Sequence, residues 1–176
     1  MEITNIFIRS FLQINNYEVL EMDEGKNWGG YYILRSDEKS DYKILWLKPK
    51  RVRALRYHGL TGSAHKETWK ALTEIRVILG HTDLAINKDQ FDEEISNLQI
   101  LDVDPNETVE IPKGYLHGLV NPFETDIYLF EYRESDHVET TEEREKNTKV
   151  VYDQTGEFNA PRWPSELLFR IMEKSE

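Results

Sequence analysis

The chain contains no cysteine. Disulfides, thiolate metal sites and a cysteine nucleophile are excluded together, and the absence fits a reducing compartment. No apolar run approaches the roughly 20 residues that a membrane-spanning helix needs. Positive charge is also scarce: 22 Lys and Arg stand against 33 Asp and Glu, a formal net charge of −11. That balance argues against generic nucleic-acid binding, which needs a surface that neutralises phosphates. The opening residues, Met1-Glu2-Ile3-Thr4-Asn5-Ile6-Phe7, lack the basic region and small-residue cleavage site of a signal peptide. A cytoplasmic protein with no membrane partner is expected.

What is present suits a packed domain. A hydrophobic fraction of 39% and an aromatic fraction of 11% can core one domain in 176 residues. Tyr31-Tyr32-Ile33-Leu34, Tyr42 to Leu47, Val52 to His58, Leu98 to Val103, Thr108 to Ile111 and Asp126 to Tyr132 read as short strands. Turn residues punctuate them at Gly25 to Gly30, Asp37 to Asp41, Pro49, Asp104-Pro105-Asn106-Glu107, Pro112-Lys113-Gly114 and Asn121-Pro122. Trp69 to Leu79 alternates imperfectly. Such spacing predicts an all-β sandwich, jelly roll or barrel rather than a parallel α/β fold. Ile3 to Leu12 fits a short helix or an opening strand. Glu139 to Lys146 favours helix, and Pro164 to Met172 predicts a terminal amphipathic helix that caps the barrel or joins a dimer contact.

Charge is unevenly placed. Lys43, Lys48, Lys50, Arg51, Arg53 and Arg56 follow one another with no acidic residue after Asp41, whereas Glu131 to Glu145 is mostly acidic. A basic strand in an acidic protein is either a local anion site or a solvated edge strand. For most of these residues the solvated edge is the expectation.

There are five histidines: His58, His65, His81, His117 and His137. His58 ends a strand, and His65 and Glu67 follow beyond a turn. Imidazole and carboxylate together suit Zn, Fe, Mn, Ni or Co. Side chains of equal parity share a strand face, so Arg56 and His58 point the same way if the strand is regular.

The segment Ile111-Pro112-Lys113-Gly114-Tyr115-Leu116-His117-Gly118-Leu119-Val120-Asn121 carries an I-P-x-G-x-x-H-x-x-x-N pattern. It resembles the second motif of the cupin superfamily. Ala54 to His58 followed by His65-Lys66-Glu67-Thr68-Trp69 resembles the first motif, in the version of type II mannose-6-phosphate isomerases and the matching domain of mannose-1-phosphate guanylyltransferases. Trp28-Gly29-Gly30-Tyr31 resembles that group's opening W-G-x-Y motif, and Phe130-Glu131-Tyr132-Arg133 stands where the group has a Glu-x-Gln strand ending. The resemblance spans roughly Asn27 to Glu134.

It implies one cupin jelly-roll β-barrel over 1–176, with its core at about 27–134, short flanking helices and a C-terminal extension over 135–176. It also implies a divalent metal on His58, Glu67 and His117, with His65 as fourth ligand. The pattern departs from the group in the gap between His58 and His65, in Thr68 where a histidine stands, and in Arg56 and Arg133 where glutamines stand. Guanidinium groups in a pocket favour phosphate or carboxylate. The expected ligand is therefore a sugar phosphate, bound by Arg56, Lys113 and Arg133, with Glu131 and Arg133 as candidate catalytic groups. The expected activity is aldose–ketose isomerisation of a phosphorylated hexose. A divergent, non-enzymatic cupin binding a small carbohydrate or anion is the alternative, the same ligands also permit oxygenase chemistry, and a homodimer is compatible with either.

Overall fold

A computed structural model describes residues 2–36, 40–58, 65–80, 98–135, 148–154, 160 and 162–173; for Tyr57, His58, Ser135 and Lys149 it describes the backbone alone. The elements run α1 (Ile6–Asn15), β1 (Glu21–Asp23), β2 (Gly29–Ser36), β3 (Ser40–Leu47), β4 (Arg51–Val52), β5 (Leu55–His58), β6 (His65–Ala71), β7 (Ile75–Gly80), β8 (Gln99–Val103), β9 (Thr108–Ile111), β10 (Leu116–Asn121), β11 (Ile127–Ser135), β12 (Thr148–Tyr152) and α2 (Ser165–Met172). Sheet one has the order β1-β2-β3-β11-β6-β9, and sheet two the order β12-β5-β10-β7-β8, with β4 also on β10. Every pairing is antiparallel. The expected all-β jelly roll is the architecture observed.

The two sheets face each other across one apolar core. Leu45, Leu47, Trp69, Ala71, Ile127 and Leu129 of sheet one meet Ile75, Val77, Leu79 and Leu119 of sheet two, with Trp28 beside them. Each outer face is covered by a helix. Ile8 and Leu12 of α1 pack on Tyr32, Ile44, Trp46 and Tyr128. Leu167 and Ile171 of α2 pack on Leu55, Ile78, Leu116 and Val120. Central strands are consequently buried on both faces, as β7 and β10 are throughout. Two-sided burial removes the period-two signal. That is why Trp69 to Leu79 reads in the sequence as one irregular strand, although it is β6 and β7 joined by the turn Leu72–Glu74.

Other sequence expectations resolve in detail. Ile3 to Leu12 is helical from Ile6, with the Asn5 side chain accepting the Ile8 N–H (3.1 Å) as N-cap and Asn16 closing the end in the left-handed conformation (φ 54°). The strand over Val52 to His58 divides into β4 and β5. The C-terminal helix covers sheet two rather than a barrel end. It is held by the buried Arg76 of β7, whose guanidinium donates to both Asp102 oxygens (2.6 and 2.8 Å) and to the carbonyls of Ile171 and Glu173. The insertion at 59–64 and the helix-favouring stretch 139–146 lie outside the described residues. No helix among the described residues is long and apolar enough to cross a membrane.

Within the basic stretch, Lys50 and Arg51 are exposed as expected, whereas Lys43 and Arg53 turn inward. β3 lies between β2 and β11, and Lys43 alternates with Leu45 and Leu47 on the inner face. Arg53, in the break between β4 and β5, points inward too, with its guanidinium 5.1 Å from the centre of the Trp28 ring. Strand alternation places Lys43 inside the barrel, and the β4–β5 break brings Arg53 to the same interior.

Glu24 ties the start of α1 to sheet one. Its carboxylate accepts from the backbone N–H groups of Thr4 (3.1 Å) and Asn5 (3.2 Å), and from the hydroxyls of Thr4 and Tyr32. Burial pushes this carboxyl up, but the hydrogen bonds from Thr4, Tyr32 and Asn5 outweigh it and hold it below the ordinary 4.5. A carboxyl depressed in the folded state contributes stability above its unfolded pKa, and that contribution is lost as pH falls through the folded value. Glu24→Gln should therefore lower the thermal unfolding temperature at neutral pH and narrow its fall between about pH 5 and 3. Unfolding curves across that window check it, and a parallel fall in both proteins would contradict it.

Candidate functional site

Ladder register arranges the inner face of sheet one in rows. Tyr31, Leu45, Leu129 and Ala71 form an apolar row; next come Ile33, Lys43, Glu131 and Trp69, and then Asp41, Arg133, Glu67 and Ile111. The interior is thus apolar over one half and ionic over the other. Side chains directly opposite in an antiparallel pair share a face, and rows two residues apart are about 7 Å apart along a strand.

Glu67 is at the centre of the ionic half. β6 alternates cleanly, so His65, Glu67, Trp69 and Ala71 are all buried. His65 Nε2 lies 3.0 Å from Glu67 Oε1, and Trp69 donates its indole N–H to Glu67 Oε2 at 2.9 Å. His117 approaches from sheet two, its Nε2 3.7 Å from Glu67 Oε2 and its ring edge-on to Trp69.

The local sequence explains how His117 gets there. Tyr115 donates to the Pro112 carbonyl (3.2 Å), closing a turn with Gly114 third at φ 76°. That positive φ is the one a type II turn demands, and glycine meets it without strain. β10 then begins with Leu116 outward and His117 inward. Its far end is fixed by Asn121, whose buried amide lies 2.8–3.0 Å from the carbonyls of Leu47, Lys48 and Thr125 and accepts from the Phe123 N–H (3.0 Å). The last residue of the I-P-x-G-x-x-H-x-x-x-N pattern is thus a clamp that holds β10 to the end of β3.

His117 Nδ1 is 3.0 Å from the Tyr115 carbonyl, which can only accept. Nδ1 therefore carries the proton in the neutral ring, and the Nε2 lone pair points toward Glu67. Burial pushes this imidazole below its ordinary value, against the raising influence of Glu67 and of the Tyr115 carbonyl. A neutral histidine oriented by a carbonyl and aimed at a carboxylate is the arrangement that metal-ligating histidines use.

The other expected residues fall as follows. His58 ends β5 with its backbone on the ladder to Thr148, and its side chain lies outside the described residues. Arg56 is the register partner of His117, so the two share a face. Lys113 is exposed, in the Pro112–Gly114 turn. Arg133 is buried and paired with Asp41, which also accepts from the Ser36 hydroxyl (2.6 Å). Glu131 is buried, 3.5 Å from both Lys43 Nζ and Arg53 Nη1. Among the described residues, no three His, Asp or Glu side chains gather as a closed metal cluster; the contacts form a chain through Glu67.

Lys43, Arg53, Asp41 and Trp69 were not among the expected site residues. A signal existed for Lys43 and Asp41, which share parity with the core residues Leu45 and Leu47. Arg53 follows a strand break that the sequence does not mark.

No family model matches the chain, and no curated protein matches it. Solved structures do. CapF of Staphylococcus aureus, a capsular polysaccharide assembling protein, superposes over 76% of this chain and 32% of its own, with a TM-score of 0.55 and 16% identity. The oxalate decarboxylase OxdC of Bacillus subtilis superposes over 78% of this chain and 30% of its own, with a TM-score of 0.50 and 13% identity. The fold is that of the cupins. Identity this low shows the fold alone, and the chain spans about a third of the length of either of these cupin-fold proteins.

The ion pair between Arg133 and Asp41 belongs to the wall of this cupin barrel. Asp41 keeps Lys43 Nζ at 3.5 Å when Arg133 is removed, so Arg133→Gln should lower the unfolding free energy by about 2 kcal/mol, less than the loss of a lone buried partner. Asp41→Asn should lower it comparably, and the double variant should lose less than the sum. Urea denaturation checks this; strictly additive losses would contradict the pairing.

Proposed function

We propose that this cupin binds a divalent metal and a small anionic carbohydrate in the ionic half of its barrel, and acts as an aldose–ketose isomerase of a phosphorylated hexose. One observation carries the reading: His65 and His117, from opposite sheets, converge on the buried carboxylate of Glu67. Two imidazoles and a carboxylate are donors that Zn, Mn, Fe, Ni or Co accept. His65, Glu67 and His117 would hold the ion, with His58, two residues beyond Arg56 on β5, as fourth ligand. A bound ion there would polarise the sugar carbonyl.

The chain's own residues supply the rest. Arg56, beside His117, binds the phosphate, and Lys113 in the neighbouring turn is a second candidate contact. Glu131 is the base that moves a proton between adjacent carbons. Arg133 already has Asp41 as its ion partner, and is assigned to the wall rather than to ligand or chemistry. Support of a general kind comes from the cupin-fold structures, one from a capsular polysaccharide assembling protein and one from an oxalate decarboxylase. The mannose-6-phosphate isomerase likeness rests on this chain's motifs.

A specific observation favours a second reading, a non-enzymatic cupin that binds a carbohydrate or anion. Both Glu67 oxygens are already engaged, by His65 and Trp69, and no closed three-donor cluster forms among the described residues. Chelator-stripped protein reloaded with each metal and assayed for conversion of mannose 6-phosphate to fructose 6-phosphate separates the two. The isomerase reading expects metal-dependent turnover, reduced at least about tenfold by His117→Ala. It also expects Arg56→Gln to raise KM for phosphosugars and not for neutral sugars. Metal uptake without turnover across phosphosugars would establish the binding module instead.

A further inference from the structure

We propose that Lys43 and Arg53 form an anion subsite of the barrel interior, and that Glu131 is the built-in counter-ion an incoming anion displaces. This deepens the reading above and rests on it for the ligand's location. The two cations come from different sheets, Lys43 from the middle of sheet one and Arg53 from the β4–β5 break that runs along β10. They meet at one carboxylate. Lys43 Nζ is 3.5 Å from Glu131 Oε1, and Arg53 Nη1 is 3.5 Å from Glu131 Oε2.

Three features distinguish this group from a closed structural ion pair. The contacts are long: charge-assisted hydrogen bonds between such groups settle at about 2.7–2.9 Å. The Arg53 guanidinium also has donor capacity in reserve, because its Nε is buried with no hydrogen-bond partner among the described residues. A buried donor left in that state is costly, and an oxyanion at the Nε–Nη edge would satisfy it. Finally, the cations keep some contact with solvent while the carboxylate does not, the side chains of Lys43 and Arg53 being 16% and 15% exposed against 5% for Glu131. A ligand therefore meets the cations before the carboxylate. The neighbouring Arg133–Asp41 pair is almost wholly buried, and Lys43 Nζ also lies 3.5 Å from Asp41 Oδ2, so Lys43 stands between two carboxylates while Arg53 faces Glu131.

The Trp28 ring beneath Arg53 fixes the plane of the guanidinium. Glu131 lies beside Trp69 and one row from Glu67. The anion would sit in the row next to that of Glu67, on the same inner face, which suits a sugar acid, hydroxy acid or sugar phosphate extending toward Glu67 and His117. Displacing Glu131 from its two cations would also leave its carboxylate for proton transfer.

Binding of inorganic phosphate and, in parallel, acetate to chelator-stripped protein tests the proposal by calorimetry without involving a metal. Arg53→Gln and Lys43→Gln should each weaken binding by about tenfold or more, with metal uptake unchanged in reloaded samples. Glu131→Gln, which keeps the shape and removes the competing charge, should tighten binding at least about threefold. A purely structural cluster would instead give a destabilised Glu131→Gln with no gain in anion affinity. That result, or equal binding in folded Arg53→Gln and Lys43→Gln, overturns the proposal. Anion binding that behaves as expected in a protein that takes up no metal would sink the metal reading and leave this subsite standing.

Discussion

Burying a carboxylate is the demand that shapes this barrel. Glu67 is 5% exposed, and an isolated ionised carboxylate there would be severely destabilising. The structure surrounds it from three directions: the His65 imidazole and the Trp69 indole N–H are within hydrogen-bond distance, and the His117 ring faces it at 3.7 Å from the opposite sheet. Two of these lie on the same strand at i±2, where strand alternation alone delivers them. The third depends on a turn that glycine at position 114 enters without strain and on a clamp at Asn121. The site is therefore as much a product of backbone geometry at Pro112–Gly114 as of the side chains themselves.

The same logic extends along the neighbouring row. Asp41 and Lys43 on β3, and Glu131 and Arg133 on β11, are followed nearer the apolar half by Leu45 and Leu47 and by Leu129. Each strand changes character partway along its inner face, and the changes coincide across the sheet. One half of the interior supplies hydrophobic stability, and the other holds charges that offset one another in pairs. Buried ion pairs contribute little net stability compared with apolar packing.

Much of the architecture was legible in the sequence. The turn residues and β-rich runs marked β2, β3, β8, β9 and β11, though not β1, β10 or β12, and the apolar spacing of 164–172 gave α2. The legibility failed where tertiary burial overrides local pattern. β6 and β7 merged because β7 is buried on both faces, and Lys43 and Arg53 read as solvated because their shared partner, Glu131, lies about 80 positions away. No local signal reports a partner at that separation. Arg133 was ambiguous for the same reason, since its partner Asp41 comes from β3. His65, the least regular member of the motif, is placed by plain alternation from Glu67.

The central claim is that the Glu67-centred donors form a divalent metal site. Titrating chelator-stripped protein with cobalt(II), followed by its visible absorption, tests it directly. The account predicts saturation at one equivalent with the spectrum of nitrogen and oxygen ligation, and its loss in Glu67→Gln. A titration without a saturable spectrum, or one that Glu67→Gln leaves unchanged, would contradict it.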